Sequence, residues 1–233
     1  MIGEMRDAGF DVTIYFYNPN IHPKREYELR KAENVRYAEA LGIPIVDADY
    51  DVEEWFQRAK GMELSPERGA RCTMCFDMRM ERTALYAHEH GFPIITTTNA
   101  TSRWKDAKQV DDSGMRAAAK YPGVEYWWRD WQTDEMSTRK YEINAQQRFY
   151  KQEYCGCTYS LRDSNLWRAK QGLPPVEVGA PDSIYSDPSA DSEEESREVV
   201  DGFFRDNKAF EHELRANYER RRKDGADADK NNW

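Results

Sequence analysis

The chain up to about residue 172 alternates short apolar runs with longer amphipathic segments. The short runs are rich in β-branched and aromatic residues and predict buried strands at 11–17, 43–46, 93–98 and 124–129. The amphipathic segments predict helices at 24–41, 52–59, 72–91 and 137–152. This order is typical of a doubly wound, mostly parallel α/β sheet with helices on both faces, in which ligands bind at the carboxyl ends of the strands.

The pattern stops near Gln171 and Gly172. The segment that follows is rich in Pro, Gly, Ser and acidic residues and predicts an irregular linker, beyond which a charged stretch predicts one helix. We therefore predict a catalytic α/β domain at 1–172 and an acidic linker with a charged helical tail at 173–233.

The opening segment "IGEMRDAGF" has the pattern of the end of a helix that leads into the first strand. A doubly wound unit ordinarily begins with a strand whose following loop binds ligand. We therefore expect Met1 to be an internal methionine of a longer natural chain, and the α/β domain to be incomplete at its N-terminus.

The distribution of charge along the chain, rather than the net charge, indicates which partners are possible. The net charge is −9, but residues 176–233 contain 16 acidic and 9 basic residues and so carry −7 of it. The remaining −2 leaves a nearly neutral body that can hold a local basic surface, so a nucleic-acid partner is not excluded. No apolar run approaches the roughly 20 residues of a membrane span, and no signal peptide precedes the first strand. The sequence predicts a cytoplasmic protein without membrane contact, whose thiols stay reduced.

The chain has only 4 cysteines, and they form two close pairs. Cys72 and Cys75 stand at the start of a predicted helix, where both sulfurs can face one metal or each other. The helix N-terminus, together with Arg71, favours thiolates there. Thiolates are ligands of zinc and of iron–sulfur clusters, so this pair is a candidate metal site.

The second pair is Cys155 and Cys157, separated only by Gly156. A disulfide between such close residues closes a small, strained ring, and strain makes it labile rather than structural. Alternatively, these two thiolates join Cys72 and Cys75 in one four-thiolate site for zinc or a [4Fe–4S] cluster. The cysteine pattern leaves both the structural zinc site and the redox site open.

The loop "YNPNIHP" at 17–23 follows the first predicted strand and contains two prolines and two asparagines, so it must adopt a defined conformation. A loop at the carboxyl end of a strand is where binding residues concentrate. His22 either lines the expected pocket or braces its own loop.

Four motifs together resemble the cobalamin-independent epoxyqueuosine reductases, in order and spacing, over roughly residues 1–165. They are "YFYNPNIHPKREYELR" (15–30), "RCTMC" (71–75), "TTT" (96–98) and "RFYKQEYCGCTYS" (148–160). The resemblance implies an adenine-nucleotide-hydrolase-like (Rossmann-like) fold. It also implies an oxidoreductase that reduces epoxyqueuosine in tRNA to queuosine, the last step of queuosine biosynthesis.

The resemblance implies a [4Fe–4S] cluster and an additional iron near it. It assigns Cys72 and Cys75 as cluster ligands, and Cys155 and Cys157 as a redox-active disulfide pair that acts in catalysis. The implied partners are tRNA that carries epoxyqueuosine and an electron donor that the sequence does not identify.

Substrate contacts are expected at the ligand edge of the sheet. The substrate-binding candidates are Tyr17, Asn18, Asn20, His22 and Arg30. The basic candidates for tRNA contact are Lys24, Arg25, Arg30, Arg103 and Lys105. Reduction of an epoxide also needs a group that stabilises the developing alkoxide, either a Lewis-acid iron or a positioned acid.

The sequence departs from the family pattern in two places. Family members begin with a strand and a Cys-Cys motif that completes the cluster, and this chain has no counterpart, so we expect it to be inactive as given. The segment "NATSRWKD" (99–106) also differs from the family version. Two alternatives remain: a zinc-stapled four-cysteine module that binds nucleic acid without catalysis, and a thiolation enzyme of the ATP-pyrophosphatase type. The latter needs a glycine-rich phosphate loop that is not visible here.

Overall fold

The structure is a computed structural model and describes residues 1–178. Its elements in chain order are α1 (Ile2–Asp7), β1 (Ile14–Phe16), α2 (Lys24–Leu41), β2 (Ile45–Asp47), α3 (Val52–Ala59), α4 (Ala70–Glu89), β3 (Ile94–Ile95), a 3₁₀ turn (Thr98–Thr101), α5 (Ala107–Ala118), β4 (Glu125–Tyr126), α6 (Asp134–Gln147) and α7 (Thr158–Lys170). No helix among these is long and apolar enough to cross a lipid bilayer. The predicted linker and charged helix lie almost wholly outside the described residues, and the domain division at 172 stays a prediction.

The strands form two parallel pairs. β1 pairs with β2, with Ile14 opposite Ile45, and β3 pairs with β4, with Ile94 opposite Glu125. Within residues 1–178 the two pairs are separate sheets, and a cavity of about 330 Å³ is lined by both β1 and β3. The parallel α/β class is therefore confirmed, whereas one continuous Rossmann-like sheet stays a prediction.

Helix α4 organises the core because its buried side chains contribute to three apolar clusters. Cys75 and Met78 pack with α3 and α7, Met80 and Ala84 pack beneath β3 and β4, and Phe76 packs towards α5. Buried positions three and four apart place these side chains on adjacent faces of one helix. The helix that begins with the first cysteine pair is thus the most firmly embedded of the fold.

The predicted elements match the observed ones except near the second cysteine pair. The helix predicted at 137–152 ends at Gln147, because Arg148 adopts a left-handed conformation with φ of 52°. The segment 148–157 is irregular, and α7, which the pattern did not predict, begins directly after Cys157. The strands are also shorter than the apolar runs that predicted them.

Candidate functional site

Both cysteine pairs lie at helix N-termini. Cys72 and Cys75 occupy the first two turns of α4, and Cys157 caps α7, where its sulfur accepts a hydrogen bond of 3.3 Å from the backbone N–H of Ser160. Cys75 and Cys157 belong to the same buried cluster. All four cysteines are free thiols. The fold therefore places one cysteine of each sequence-distant pair in the same buried cluster.

Burial dominates the electrostatics of these thiols. It raises the pKa of Cys72, Cys75 and Cys157, and the charge of Cys155 raises the pKa of all three further. These three thiols, of which Cys75 and Cys157 are buried and Cys72 is half-buried, stay protonated at neutral pH unless a positive centre binds beside them.

A lysine contacts the more exposed sulfur of the second pair. Lys105, between the 3₁₀ turn and α5, donates from Nζ to the sulfur of Cys155 at 3.2 Å. Its ammonium also lies 5.8 Å from the centre of the Phe76 ring. Lys105 therefore puts a positive charge and a proton donor at the half-buried thiol of Cys155, whereas Cys157 is buried.

Arg30 of α2 holds the turn that carries the second pair. Its guanidinium donates to the carbonyl oxygens of Tyr154 at 3.1 Å and Cys155 at 3.0 Å. It also pairs at 2.8 Å with Glu26, which is fully buried. Charge-assisted bonds in a buried position are strong and directional. The sequence assigned Arg30 to substrate or tRNA; the structure uses most of its donors inside the protein.

The loop at 17–23 also forms hydrogen bonds to the turn that carries the second pair. The backbone N–H of His22 donates to the carbonyl oxygen of Gly156 at 2.8 Å, and the hydroxyl of Tyr154 donates to the carbonyl oxygen of His22. Gly156 has φ of 122°, and a Cβ there would lie 2.8 Å from a guanidinium nitrogen of Arg30. A glycine is required between the two cysteines because backbone conformation and space both exclude a side chain.

The side chain of His22 stabilises its own loop and does not line the cavity. Its ring packs among Tyr50, Trp55 and Phe56, and burial lowers its pKa to about 4. It is therefore neutral near pH 7, and its Nδ1–H donates to the carbonyl oxygen of Asn20 at 2.8 Å. Of the two roles that the sequence left open, the contacts favour the second.

The other predicted substrate residues meet Cys155 at one cavity. The lining of the 330 Å³ cavity includes Tyr17, Asn18, Asn20, Arg30, Lys105 and Cys155, together with Thr96, Thr97 and Thr98 of the "TTT" motif. The hydroxyl of Tyr17 donates to Asp51 at 2.9 Å, and burial raises its pKa, so it stays protonated. Cys72, Cys75, Cys157 and His22 are not part of this lining.

Arg79 is a cavity residue that the sequence analysis missed. It donates to the side-chain oxygen of Asn18 at 2.6 Å and to the carbonyl oxygen of Tyr17 at 3.3 Å. It follows Cys75 by four positions, so the helical period places both on one face of α4. The spacing of four residues from Cys75 is the feature of the sequence that could have identified Arg79 as a site residue.

The basic residues predicted to contact tRNA divide into two groups. Arg103 and Lys105 lie in the loop before α5, where the Arg103 guanidinium is 4.8 Å from the centre of the Trp104 ring. Lys24 and Arg25 are partly buried in the first turn of α2. Lys105 contacts the sulfur of Cys155, and Arg30, the remaining candidate, bonds the carbonyl oxygen of the same residue.

A metal centre is only partly matched by the described side chains. Cys72 and Cys75 are thiols three positions apart on one helix, which suits two ligands of an iron–sulfur cluster. Between residues 1 and 178, no three His, Cys, Asp or Glu side chains are grouped so as to hold a metal ion. A complete ligand set therefore stays a prediction.

The chain that carries these motifs is similar to known proteins. The sequence profile of the family described as "Epoxyqueuosine reductase QueH" matches residues 1–163. The chain is 57% identical over 181 residues to the epoxyqueuosine reductase QueH of Haemophilus influenzae, which covers 76% of this chain and 74% of that protein.

Two further relatives carry the same name. The protein of Histophilus somni is 58% identical over 181 residues, with 76% of this chain and 74% of the relative covered. That of Acinetobacter baylyi is 53% identical over 181 residues, with 78% and 83% covered. The resemblance stated from four motifs is thereby confirmed. This chain belongs to the epoxyqueuosine reductase QueH family of oxidoreductases.

Proposed function

We propose that this protein reduces epoxyqueuosine in tRNA to queuosine, the last step of queuosine biosynthesis. One observation carries the proposal: Cys155 lines the cavity shared with Asn18 and Arg30, and Lys105 donates to its sulfur. The names of the relatives supply the substrate, because each is called an epoxyqueuosine reductase. We assign the chemistry to residues 1–172 and propose a cytoplasmic location.

The redox step balances with the second cysteine pair as the two-electron donor. The two thiols of Cys155 and Cys157 give two electrons and two protons, and form one S–S bond. Both C–O bonds of the epoxide break, a C=C bond forms, and the oxygen leaves as water. An external donor then returns two electrons and two protons to the disulfide.

The site residues have distinct roles in this proposal. Lys105 stabilises the oxygen as negative charge develops on it and passes to it one of the two protons that the thiols release, which makes it the positioned acid that epoxide opening needs. Arg30 and the loop at 17–23 hold the Cys155 turn, and Asn18 with Arg79 supplies polar groups in the cavity. Tyr17 and Asn20 line the same cavity.

We further propose that Cys72 and Cys75 hold part of a [4Fe–4S] cluster, with an additional iron nearby. Such a cluster supplies single-electron transfer when bound. The chemistry of the donors and their place at a helix N-terminus support this, since two thiolates there suit iron with sulfide.

The test is an assay of the natural holoenzyme purified without oxygen, with the chain as given, which we expect to be inactive, assayed beside it. It is incubated with tRNA that carries epoxyqueuosine and with a chemical reductant, and the nucleosides are analysed by mass spectrometry. We expect queuosine to form, and iron and sulfide to be present in about equal amounts. Zinc without iron, and no queuosine, would overturn the proposal in favour of the zinc-stapled module.

A further inference from the structure

Trp104 is the most exposed large apolar side chain that residues 1–178 present. Its exposed fraction is 69%, against 57% for Trp128 and 58% for Trp167. A tryptophan is usually at least partly covered, because its ring has a large apolar area. A single exposed apolar residue needs no special explanation by itself, so its surroundings decide whether it has a role.

The surroundings place Trp104 between the two cysteine pairs. Its carbonyl oxygen accepts a hydrogen bond of 3.2 Å from Nε of Arg68, whose backbone N–H donates to the sulfur of Cys72 at 3.3 Å. The next residue, Lys105, donates to the sulfur of Cys155 at 3.2 Å. Trp104 is thus linked through Arg68 to Cys72 of the first pair, and it directly precedes Lys105, whose side chain contacts Cys155 of the second pair.

The loop that carries this ring is held firmly. The amide of Gln132 donates to the carbonyl oxygens of Ala100 at 3.3 Å and Ser102 at 3.2 Å. Lys140 donates to the carbonyl oxygen of Thr101 at 3.3 Å. These bonds fix the backbone at 100–102, and the bond from Arg68 fixes the carbonyl group of Trp104, so the exposure of the ring does not come from a loose loop.

The charged groups beside the Trp104 ring that a ligand can reach are cations. The Arg103 guanidinium lies 4.8 Å from the ring centre of Trp104, and Arg68 and Lys105 flank it. The nearby carboxylates are used within the fold: Asp106 caps α5 and Glu67 accepts from Ser160. An aromatic plane bordered by cations favours a ligand with a flat ring and a phosphate backbone.

We propose that Trp104 and Arg103 form a stacking platform for an unpaired base adjacent to the nucleotide that is reduced. The inference rests on the proposed function and adds a contact that sets RNA binding. Proteins recognise single-stranded RNA loops by stacking splayed bases on aromatic rings and on arginine planes. Stacking one base on this platform positions its neighbour for entry towards Cys155, because Lys105 joins the two sites.

The experiment compares three variants of the holoenzyme: Trp104→Ala, Trp104→Phe and Trp167→Ala. The last removes a similarly exposed tryptophan from α7. Binding to a stem-loop RNA with epoxyqueuosine in its unpaired loop is measured by fluorescence anisotropy, and reduction by steady-state kinetics. We expect Trp104→Ala to raise Kd and KM about tenfold while kcat changes by less than about twofold. Trp104→Phe keeps most of the affinity, and Trp167→Ala behaves like the wild type.

A double-mutant cycle identifies the base. The same RNA is made with an abasic nucleotide at each loop position in turn. At the stacked position, Trp104→Ala should cause no further loss of affinity, because the two changes remove one interaction. Additive losses at every position, or equal losses for Trp167→Ala, would overturn the platform.

The outcomes separate this inference from the function on which it rests. If the wild type binds the RNA through Trp104 but forms no queuosine, the platform stands and the proposed reaction fails. If queuosine forms and Trp104→Ala leaves both Kd and KM unchanged, the reaction stands and the platform fails.

Discussion

The guanidinium of Arg30 donates a hydrogen bond of 3.0 Å to the carbonyl oxygen of Cys155. The two residues are 125 positions apart in the sequence, and the same guanidinium bonds the carbonyl oxygen of Tyr154 and pairs with Glu26. The conformation of the second cysteine pair is therefore set from α2 and not by the turn alone.

Replacing Arg30 by Met should destabilise the fold by about 3 kcal/mol or more. The change removes the guanidinium that pairs with the buried carboxylate of Glu26, which also accepts a hydrogen bond from Tyr150, and breaking a buried ion pair by removing one partner costs several kcal/mol. The free energy of unfolding in urea measures this. Arg30→Lys keeps a charge but has no planar fork, so we expect a smaller loss.

The double variant Arg30→Met with Glu26→Gln is the matched control. It also removes the buried negative charge and should recover part of the stability, but not the bonds to the Cys155 turn. Equal stability of the single and double variants would argue against a buried ion pair as the cause.

Replacing Gly156 by Ala should cost about 2–4 kcal/mol of unfolding free energy and most of the activity. The residue has φ of 122°, and its Cβ would lie 2.8 Å from Arg30 and 3.1 Å from Ile21. Gly123→Ala is the control, because Gly123 also has a positive φ of 83° but no atom within 4 Å of its Cβ. That change should cost about 1 kcal/mol. Similar costs at the two positions would rule out the close contact as the cause.

The sequence predicted the first cysteine pair better than the second. Helix α4 has apolar positions three and four apart, so both the helix and its N-terminal cysteines could be recognised. The buried residues of α7 are confined to its first turn: Thr158, Tyr159 and Ser160. A helix without a continuous apolar stripe gives no periodic signal, which is why it was missed.

The role of Arg30 was hidden for a different reason. Its pairing with Glu26 is an ordinary i, i+4 pattern that normally marks a helix surface. Its other partners are backbone carbonyls of a distant turn, and only the folded chain brings them near. Hydrogen bonds to the backbone of a distant segment do not depend on which side chains that segment carries, so the sequence pattern cannot predict them.

Replacing Lys105 by Met should lower kcat about a hundredfold and leave KM within a few-fold. The change removes the charge and proton donor at the sulfur of Cys155. Lys108→Met is the control, since Lys108 lies on the exposed side of α5 and pairs there with Asp112. Iron content should stay the same in both variants. Equal kinetics of the two variants would remove Lys105 from the proposed reaction.

Serine substitutions divide the four cysteines by role. Cys72→Ser or Cys75→Ser should lower the iron and sulfide bound per chain, because each removes a proposed ligand. Cys155→Ser or Cys157→Ser should stop queuosine formation and leave iron and sulfide unchanged. Metal analysis and the nucleoside assay measure the two effects. Loss of metal in all four variants would instead support one site shared by all four thiolates.

His22 should make the fold less stable in mild acid. Burial lowers its pKa to about 4 from an unfolded value of 6.5, so between these values the unfolded chain binds more protons than the folded one. The contribution is complete above pH 6.5 and falls as the pH drops towards 4, by about 3 kcal/mol in total. His22→Asn keeps a donor for the carbonyl oxygen of Asn20 but cannot titrate.

Urea unfolding of the wild type and of His22→Asn at several pH values from 7.5 to 4 separates this effect from the carboxylates that both proteins share. The wild type should lose stability faster as the pH falls, so the difference in unfolding free energy between the two proteins changes by about 3 kcal/mol. His90→Asn, at an exposed position, controls for the loss of any histidine. A pH-independent difference for His22→Asn would mean that the ring has the same pKa in the folded and the unfolded chain, and that the loop at 17–23 does not depend on a neutral imidazole to hold the Cys155 turn.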